Sequence, residues 1–442
     1  MHIRKLFTVG VLLSAMLAVL GCAARLPKDR TQISKSLEEK TGHGTGPAAK
    51  AGEVRIPEGV SLADGLSQDE AVAVALWNNA AFQADLATLG FARADLIEAG
   101  LLKNPVFSVL FPLGPKQMEF TLTAPLEALW QRPRRVAIAK LDAERVAEQL
   151  TQHGLNLVAE VKVACSELVL ARERARLAQE GARVLGQILE IAEARLQAGD
   201  ISELEASAAR ATARSAEEEA TRLGREVSIA KDRLRSLLGL GTSQLEFELV
   251  PRPVTAWRTA EEVALLKTAF AARPDLRAAE LSMEAAGKRV GWERSRVLAL
   301  AGMLDINSRG REGFEAGPGV AGNLPIFDAG QGGVTRAQTE MDVAARRYVA
   351  VQQQIALEVR QARTRLVQAT EAWKTWAERV LPAVEETQKG AAMAYAAGDV
   401  SYLFVLETTR ELLQAQRRAA ELDADLQRAL AQLERATGKR WH

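Results

Sequence analysis

The 442-residue sequence predicts a mainly helical fold with a small β component, built from two copies of one plan. Three observations support this prediction. Helix-forming residues dominate the composition and only 5% of residues are aromatic, which is typical of long helices. Apolar residues recur in alternating steps of three and four. Four short stretches in which polar and apolar residues alternate interrupt the helical parts.

The N-terminus predicts export and lipid attachment. A short basic start and an apolar stretch at 6–20 form a signal peptide over 1–21, because the stretch is too short to span a membrane comfortably. Gly-Cys at its end resembles a bacterial lipobox, although Leu20 is bulkier than the usual residue there. Cys22 is then the lipidated first residue; the alternative is a plain signal peptide that ends near a cysteine. By resemblance to lipoprotein sorting, Ala23 favours the outer membrane.

The segment that follows the signal differs from the rest of the chain. Residues 22–60 are rich in Lys, Gly, Thr and Pro and show no sustained periodicity, so we expect a lipidated tether that wraps the body or stays mobile. Residues 61–250 form the first repeat and 251–442 the second. Each repeat is predicted to contain a helix, two strands and a long helical hairpin.

An internal repeat carries the two-copy prediction. Residues 196–204 (LQAGDISEL) align with 395–403 (YAAGDVSYL) at a shift of 199. Further pairs keep the same order along the chain: Gly239 with Gly438, Pro125 with Pro325, and 75–85 with 269–279. Chance similarity between two Ala- and Leu-rich stretches is the alternative, and the shared order of these pairs argues against it.

Each repeat contains two very long helical segments. No proline follows Pro133 before residue 197, and a helix of roughly 60 residues would be about 90 Å long. A rod of this length cannot fold onto a compact core and needs neighbouring rods. Gly199 and Gly398 are placed to end helices at the hairpin tips. Asp200 or Ser202, and the equivalent Asp399 or Ser401, are placed to cap the helices that follow.

The strand predictions cover residues 117–124, 303–311, the neighbourhood of Phe107, and the glycine-rich stretch 317–327. A half-buried soluble sheet and a membrane barrel both produce such alternation. The outer-membrane address favours a small membrane β-barrel. Four strands cannot close around a lumen, and open edges are not tolerated in lipid, so several chains must combine their strands.

Residues 324–331 (LPIFDAGQ) at a strand-to-helix junction and 394–407 (AYAAGDVSYLFVLE) at a hairpin tip carry a family resemblance. Shorter matches occur at 273–276 (RPDL) and 103–106 (KNPV). Together these pieces resemble the outer membrane efflux protein family, also called TolC-like outer membrane factors, over roughly residues 61–442.

The resemblance implies a homotrimer in outer-membrane lipid. Each chain would give four strands to one shared twelve-stranded β-barrel and its long helical hairpins to an α-barrel that crosses the periplasm. The hairpin tips at Gly199, Asp200 and Gly398 would contact a periplasmic adaptor, which links to an inner-membrane pump. The protein would conduct substrate passively in tripartite efflux or type I secretion.

In this family the second tip often carries two acidic residues, three apart, that narrow the entrance. Phe404 and Glu407 occupy these positions here, so the first departs from the pattern. Asp399 and Glu407 are candidate constriction residues, and Phe404 is a candidate apolar plug. The alternatives are that Asp399 only caps a helix and that Glu407 lies on a solvated face.

Pro382 interrupts the second-copy helix, whereas the first copy has Arg183 at the aligned position. Proline removes a helix hydrogen bond and kinks the rod. We therefore predict that the second hairpin is the more mobile one and opens the entrance.

Other classes of function find little support. The balance of 57 Lys plus Arg against 56 Asp plus Glu argues against nucleic-acid binding. The four histidines have no metal-site or catalytic spacing, so the sequence predicts no enzyme, no metal site and no cofactor besides the lipid on Cys22. The alternatives that remain are a periplasmic adaptor lipoprotein and a structural coiled-coil lipoprotein.

Overall fold

The computed structural model of this chain describes residues 26–62, 64–111, 113, 118–251, 260–308 and 313–441. The predicted signal peptide and Cys22 lie outside these residues. The chain forms two compact units. The first contains Ala87–Gln149, Asp275–Val351 and the residues up to Arg30; the second contains Thr31–Leu86, Leu150–Pro274 and Gln352–His442.

Helices dominate both units. In chain order they are α1 (Arg30–Thr41), α2 (Gln68–Asn78), α3 (Ala80–Ala87), α4 (Leu89–Gly100), α5 (Ala128–Gln197), α6 (Glu203–Leu237), α7 (Glu262–Ala272), α8 (Pro274–Arg296), α9 (Gln331–Thr375), α10 (Leu381–Ala397) and α11 (Tyr402–Thr437). A π-helical segment, Trp376–Val380, joins α9 to α10. The predicted rod of about 60 residues is α5, which has 70 residues. Pro133 lies near its start, where a missing N–H group is tolerated.

The strands form one antiparallel sheet in the first unit, in the order β1 (Val106–Leu110), β2 (Glu119–Pro125), β3 (Leu300–Ser308), β4 (Phe314–Gly322). The mainly helical fold with four antiparallel strands is therefore confirmed. The boundaries differ from those predicted. β4 begins earlier and ends before Phe327, because backbone pairing with β3 stops at Gly322 opposite Leu300.

Both hairpin turns lie where the repeat predicts them. Gly199 and Gly398 have φ values of +81° and +85°, a left-handed conformation that favours glycine after a helix. The capping residues are the serines, not the aspartates. Ser202 forms a reciprocal capping box with Glu205, and the Ser401 hydroxyl accepts a hydrogen bond from the Phe404 N–H group.

The two repeats share a further interaction that the alignment did not anticipate. In the first repeat the Asn79 side chain donates a hydrogen bond to the Leu237 carbonyl at 2.9 Å. Its counterpart in the second repeat, Arg273, donates to the Ala436 carbonyl at 3.2 Å. Each bond satisfies an end carbonyl of a long helix, which has no intrahelical partner. The same packing recurs although the residue types differ.

The helix-ending glycine of the first repeat is needed for this packing. A Cβ on Gly239 would lie 2.0 Å from the Asn78 carbonyl oxygen, and its φ is +72°. Gly438 has the same role in the second repeat, with φ of +66° and the Ala272 carbonyl beside it. Close approach and left-handed backbone therefore both select glycine.

The segment predicted as a tether contains a helix that sequence reasoning missed. Ile33 and Leu37 of α1 are fully buried, and Lys40 donates to the Ala272 carbonyl at 2.5 Å. The Arg440 N–H group donates to the Lys40 carbonyl, so α1 is bound to the C-terminal residues. Only one narrow face of this short polar helix is apolar, which gives a weak periodic signal.

Pro382 is the second residue after the π-helical segment, following Leu381. The Leu381 N–H group bonds to the Trp376 carbonyl, five residues back, and Pro382 has no N–H group to continue the α pattern. The helix changes type locally just before Pro382. A kink at Pro382 and the greater mobility of the second hairpin stay predictions.

The core of the second unit joins α5 to α11. Leu177 and Val184 of α5 pack with Leu406 and Leu413 of α11. Cys165 is buried on α5, and burial raises the pKa of its thiol to about 12, so the thiol stays protonated and unreactive at neutral pH.

Arg273 carries the first testable prediction. Its guanidinium lies 2.6 Å from the Glu358 carboxylate, and its side chain is only 4% exposed. Burial would raise the pKa of Glu358, but hydrogen bonds from Arg273 and Gln354 prevail and lower it. Arg273→Met leaves this carboxylate without its main partner, so we expect a loss of about 3 kcal/mol in stability. Thermal unfolding of the purified protein, followed by circular dichroism, measures it.

Arg277→Met is the matched control, since its pair with Glu280 is half-exposed and worth well under about 1 kcal/mol. Equal unfolding temperatures for the two variants would contradict the prediction. The lowered pKa of Glu358 also sets the pH dependence. Its stabilising contribution is complete above the unfolded-state pKa and disappears as pH falls through the folded-state pKa, so acid should narrow the difference between wild type and Arg273→Met.

Candidate functional site

One face of the sheet is apolar and exposed. Strand register aligns apolar residues of all four strands on this face. They are Phe107 and Val109 of β1, Phe120 and Leu122 of β2, Leu304 and Ile306 of β3, and Phe314 and Val320 of β4. Phe314 and Val320 are 66% and 70% exposed. The ring of Phe120 lies 6.1 Å from that of Phe107 and 6.4 Å from that of Phe314. A continuous exposed apolar face of this kind marks an interaction surface.

The opposite face is polar over the central strands. Asp305 of β3 accepts hydrogen bonds from the Thr121 hydroxyl and the Asn307 amide, each at 2.9 Å. The register sets Glu119 of β2 and Glu315 of β4 on either side of Asn307. This arrangement of carboxylates, amide and hydroxyl groups suits contact with water. The sheet is therefore amphipathic across its thickness, as the alternation of residues predicts.

The sheet also has two outer edges. β1 pairs only with β2 and β4 only with β3 among the described residues, so each presents one backbone edge without a strand partner. Unpaired backbone edges are very costly in a hydrocarbon environment. An amphipathic sheet with open edges needs strands from other chains before it can lie in lipid.

The second hairpin tip brings together two of the three candidate constriction residues. Phe404 and Glu407 are one turn apart on α11, and both are exposed, whereas the intervening side of the helix buries Leu406 against α5. Phe404 is 44% exposed. Asp399 is exposed in the turn itself; its N–H group bonds to the Ala394 carbonyl at 2.9 Å.

The first tip is polar by comparison. Asp200 is exposed, and its N–H group bonds to the Arg195 carbonyl. Arg210 of α6 pairs with Glu193 of α5 and Glu203 of α6, at 3.2 and 2.8 Å. These exposed pairs contribute little stability each.

An aromatic pair at the second tip was missed by sequence reasoning. Tyr395 of α10 and Tyr402 of α11 have ring centroids 5.3 Å apart and close the turn around Gly398. The aligned residues of the first repeat are Leu196 and Glu203, which cannot form such a pair. The signal was present in the alignment, since both changes flank the same turn.

None of the helices in the described residues has an apolar stretch sufficient to traverse a bilayer. Within the same part of the chain, no cluster of three or more His, Cys, Asp or Glu side chains is arranged to hold a metal ion.

Solved structures share this fold. The structure of the outer-membrane channel OprN matches with a TM-score of 0.70 at 21% identity, covering 85% of this chain and 90% of that one. CusC, described as forming a transmembrane channel, matches with a TM-score of 0.67 at 19% identity, covering 84% and 92%. Long helical hairpins and an amphipathic four-stranded sheet thus define the class of protein: the fold is that of an outer-membrane channel subunit.

The sequence profile of the outer membrane efflux proteins matches residues 112–240 and 265–439, and the chain belongs to this family. It is an outer-membrane efflux channel protein and not an enzyme. The cobalt-zinc-cadmium resistance protein CzcC of Cupriavidus metallidurans is 25% identical over 382 residues, 85% of this chain and 90% of CzcC. The pyoverdine export outer membrane protein OpmQ of Pseudomonas putida is 26% identical over 326 residues, 70% of this chain and 67% of OpmQ.

Glu407 provides a test of the constriction hypothesis. Its carboxylate is exposed beside Phe404, so Glu407→Ala removes both bulk and charge from the candidate entrance. We expect a higher ion conductance through the reconstituted duct. Glu218→Ala removes another exposed carboxylate, from the middle of α6, and should leave conductance unchanged. Wild-type conductance in Glu407→Ala would exclude a constriction role.

Proposed function

We propose that the chain acts as a homotrimer in which each copy contributes its four-stranded sheet to one closed twelve-stranded barrel. The observation that supports this is the sheet itself, which combines an exposed apolar face with two unpaired edges. Closure between copies would pair β4 of one copy with β1 of the next and remove every edge. Three copies give an even strand number within the range of bacterial barrels.

The hairpins would form the periplasmic part of the duct. Their tips, at Gly199, Asp200 and Gly398, would contact a periplasmic adaptor that connects the duct to an inner-membrane pump. Support comes from the exposed turns at both tips and from family membership. Substrate would pass through without chemical change.

Small-solute efflux is the proposed activity, in preference to polypeptide secretion. The two relatives are described by cobalt-zinc-cadmium resistance and by pyoverdine export, and neither description concerns a polypeptide. A passive duct needs no dedicated binding site for its cargo, so the pump would select the solute.

The mass of the purified protein and its ion conductance test the proposed trimer. Native mass spectrometry of the detergent-purified protein should give three times the mass of the mature chain, and planar bilayers should show stable ion conductance. A monomer without conductance would contradict the proposal. A trimer without conductance would separate assembly from channel function.

Lipid attachment is tested at Cys22. Mass spectrometry of the mature protein should find an N-terminal cysteine carrying acyl chains, and Cys22→Ala should lose that mass. We expect the variant to be exported and processed differently, because its first mature residue is no longer fixed. Cys165→Ala is the matched control, since Cys165 is buried within α5 and unreactive. An unmodified N-terminus in the wild type would show a plain signal peptide instead.

A further inference from the structure

Two indole groups attach the first arm of the second hairpin (α9 and α10) to its second arm, α11, at the level of the π-helical segment. The Trp373 N–H group, on the last turn of α9, donates a hydrogen bond to the Asp423 carboxylate. Trp376 is the first residue of the π segment, and its indole N–H group donates a hydrogen bond to the Ala415 carbonyl at 3.1 Å. Both bonds cross from one arm of the hairpin to the other. Together they attach the last turn of α9 and the start of the π segment to α11.

Asp423 depends on this contact. Burial raises the pKa of its carboxyl group, and the hydrogen bond from Trp373 opposes that rise. A half-buried carboxylate that loses its donor is left with the cost of desolvation. The bond is therefore worth more than an exposed one, and each partner stabilises the position of the other.

The first hairpin has no equivalent. At the shift of 199 residues, Arg174 aligns with Trp373 in sequence, and Gly224 aligns with Asp423. Arg174 instead pairs with Glu421 of α11 at 2.7 Å. The first-repeat rod α5 also continues without a π segment through the aligned region. The indole pair and the helix interruption therefore occur together, in one repeat only.

Between the π segment and the tip, the first arm of the second hairpin buries few side chains in the single chain. Ala391 is the one buried residue of α10, which has 17 residues, and most of the others are exposed. The aligned part of α5 is mostly half-buried. Segments with few buried contacts open at low free-energy cost. The more buried and the more exposed parts of the first arm of this hairpin meet at Trp376–Val380.

A cavity of 640 Å³ adjoins this boundary. Trp373, Asp423 and Leu381 line it, together with Leu170 and Arg176 of α5. Close-packed interiors resist movement, whereas a cavity of this size gives an aromatic side chain room to leave its place. Trp373 can thus shift without displacing the neighbouring helix.

We propose that Trp373 and Asp423 form a clamp that holds the second hairpin closed, and that its release lets Leu381–Ala397 move about Trp376–Val380, which acts as the hinge when the entrance opens. The proposal rests on the proposed channel function. Trp373 and Asp423 are positioning residues in it, because they act through the hinge and touch no substrate. The clamp opposes opening, since bending at the adjacent hinge would move the Trp373 side chain away from the half-buried Asp423 carboxylate and break their bond.

The test uses Trp373→Phe, which keeps the ring and removes the donor, and Asp423→Ala, which removes the acceptor. Each variant should raise the ratio of open to closed entrance by on the order of tenfold, the typical effect of a hydrogen bond to a charged group. The double variant should exceed neither single variant, because both break one bond. Trp292→Phe is the matched control, since the buried Trp292 N–H group has no hydrogen-bond partner in the described structure.

Spin labels distinguish hinge motion from general loosening. With a reference label at the exposed Gln179 of α5, a label at Lys389 reports on α10, and one at Glu371 reports on α9 above the hinge. In both clamp variants the distance from Gln179 to Lys389 should shift, while the distance to Glu371 should stay constant. The thermal unfolding temperature should remain within a few degrees of the wild type.

Unchanged Lys389 distances in both variants, or an equal shift at Glu371, would overturn the clamp. A double variant that exceeds both single variants would show that the two residues act separately, which also overturns it. If the wild type fails to conduct ions, the proposed channel function fails. The label distances still decide the clamp in that case, because they do not depend on conductance.

Discussion

The backbone groups at the two edges of the sheet impose the constraint on which the rest of the molecule depends. The outer edges of β1 and β4 carry backbone N–H and C=O groups that lipid cannot satisfy. The apolar face beside these edges is stable only away from water. A single chain cannot meet both demands. The long helices also need neighbours along their length, and in the single chain α5 packs against α11 through Leu177 and Val184. The sheet edges therefore support the proposed assembly of several chains.

Duplication explains how one chain supplies two such sets of elements, and its departures from symmetry are informative. Asn79 and Arg273 hold the ends of the two long helices through the same carbonyl position, so the repeats agree where a helix must be anchored. They differ at the hairpins. The first hairpin has charged pairs near its tip, whereas the second has a tyrosine pair, an exposed Phe404 and a π-helical interruption. The helix-end anchor thus occurs in both repeats, and the tyrosine pair and the helix interruption only in the second.

Much of this could be predicted because it depends on neighbours in sequence. Alternation in β2 shows one apolar and one polar face, and a glycine followed by a serine three residues later marks each hairpin turn. Other features could not. Helix α1 is short and mostly polar, and only its packing against the C-terminal residues makes Ile33 and Leu37 part of the core. The choice of Ser202 and Ser401 as caps, two residues after Asp200 and Asp399, depends on the backbone geometry of the turns.

By itself the sequence determined the duplicated plan, the hairpin turns, the amphipathic strands and the family resemblance, because periodicity and turn chemistry are local properties of the chain. Tertiary structure alone decided which distant groups meet. Trp373 finds Asp423 fifty positions away, Arg273 finds Glu358, and the break before Pro382 becomes a π-helical segment beside a cavity. Such contacts depend on how the helices lie against one another. No pattern within one helix specifies them.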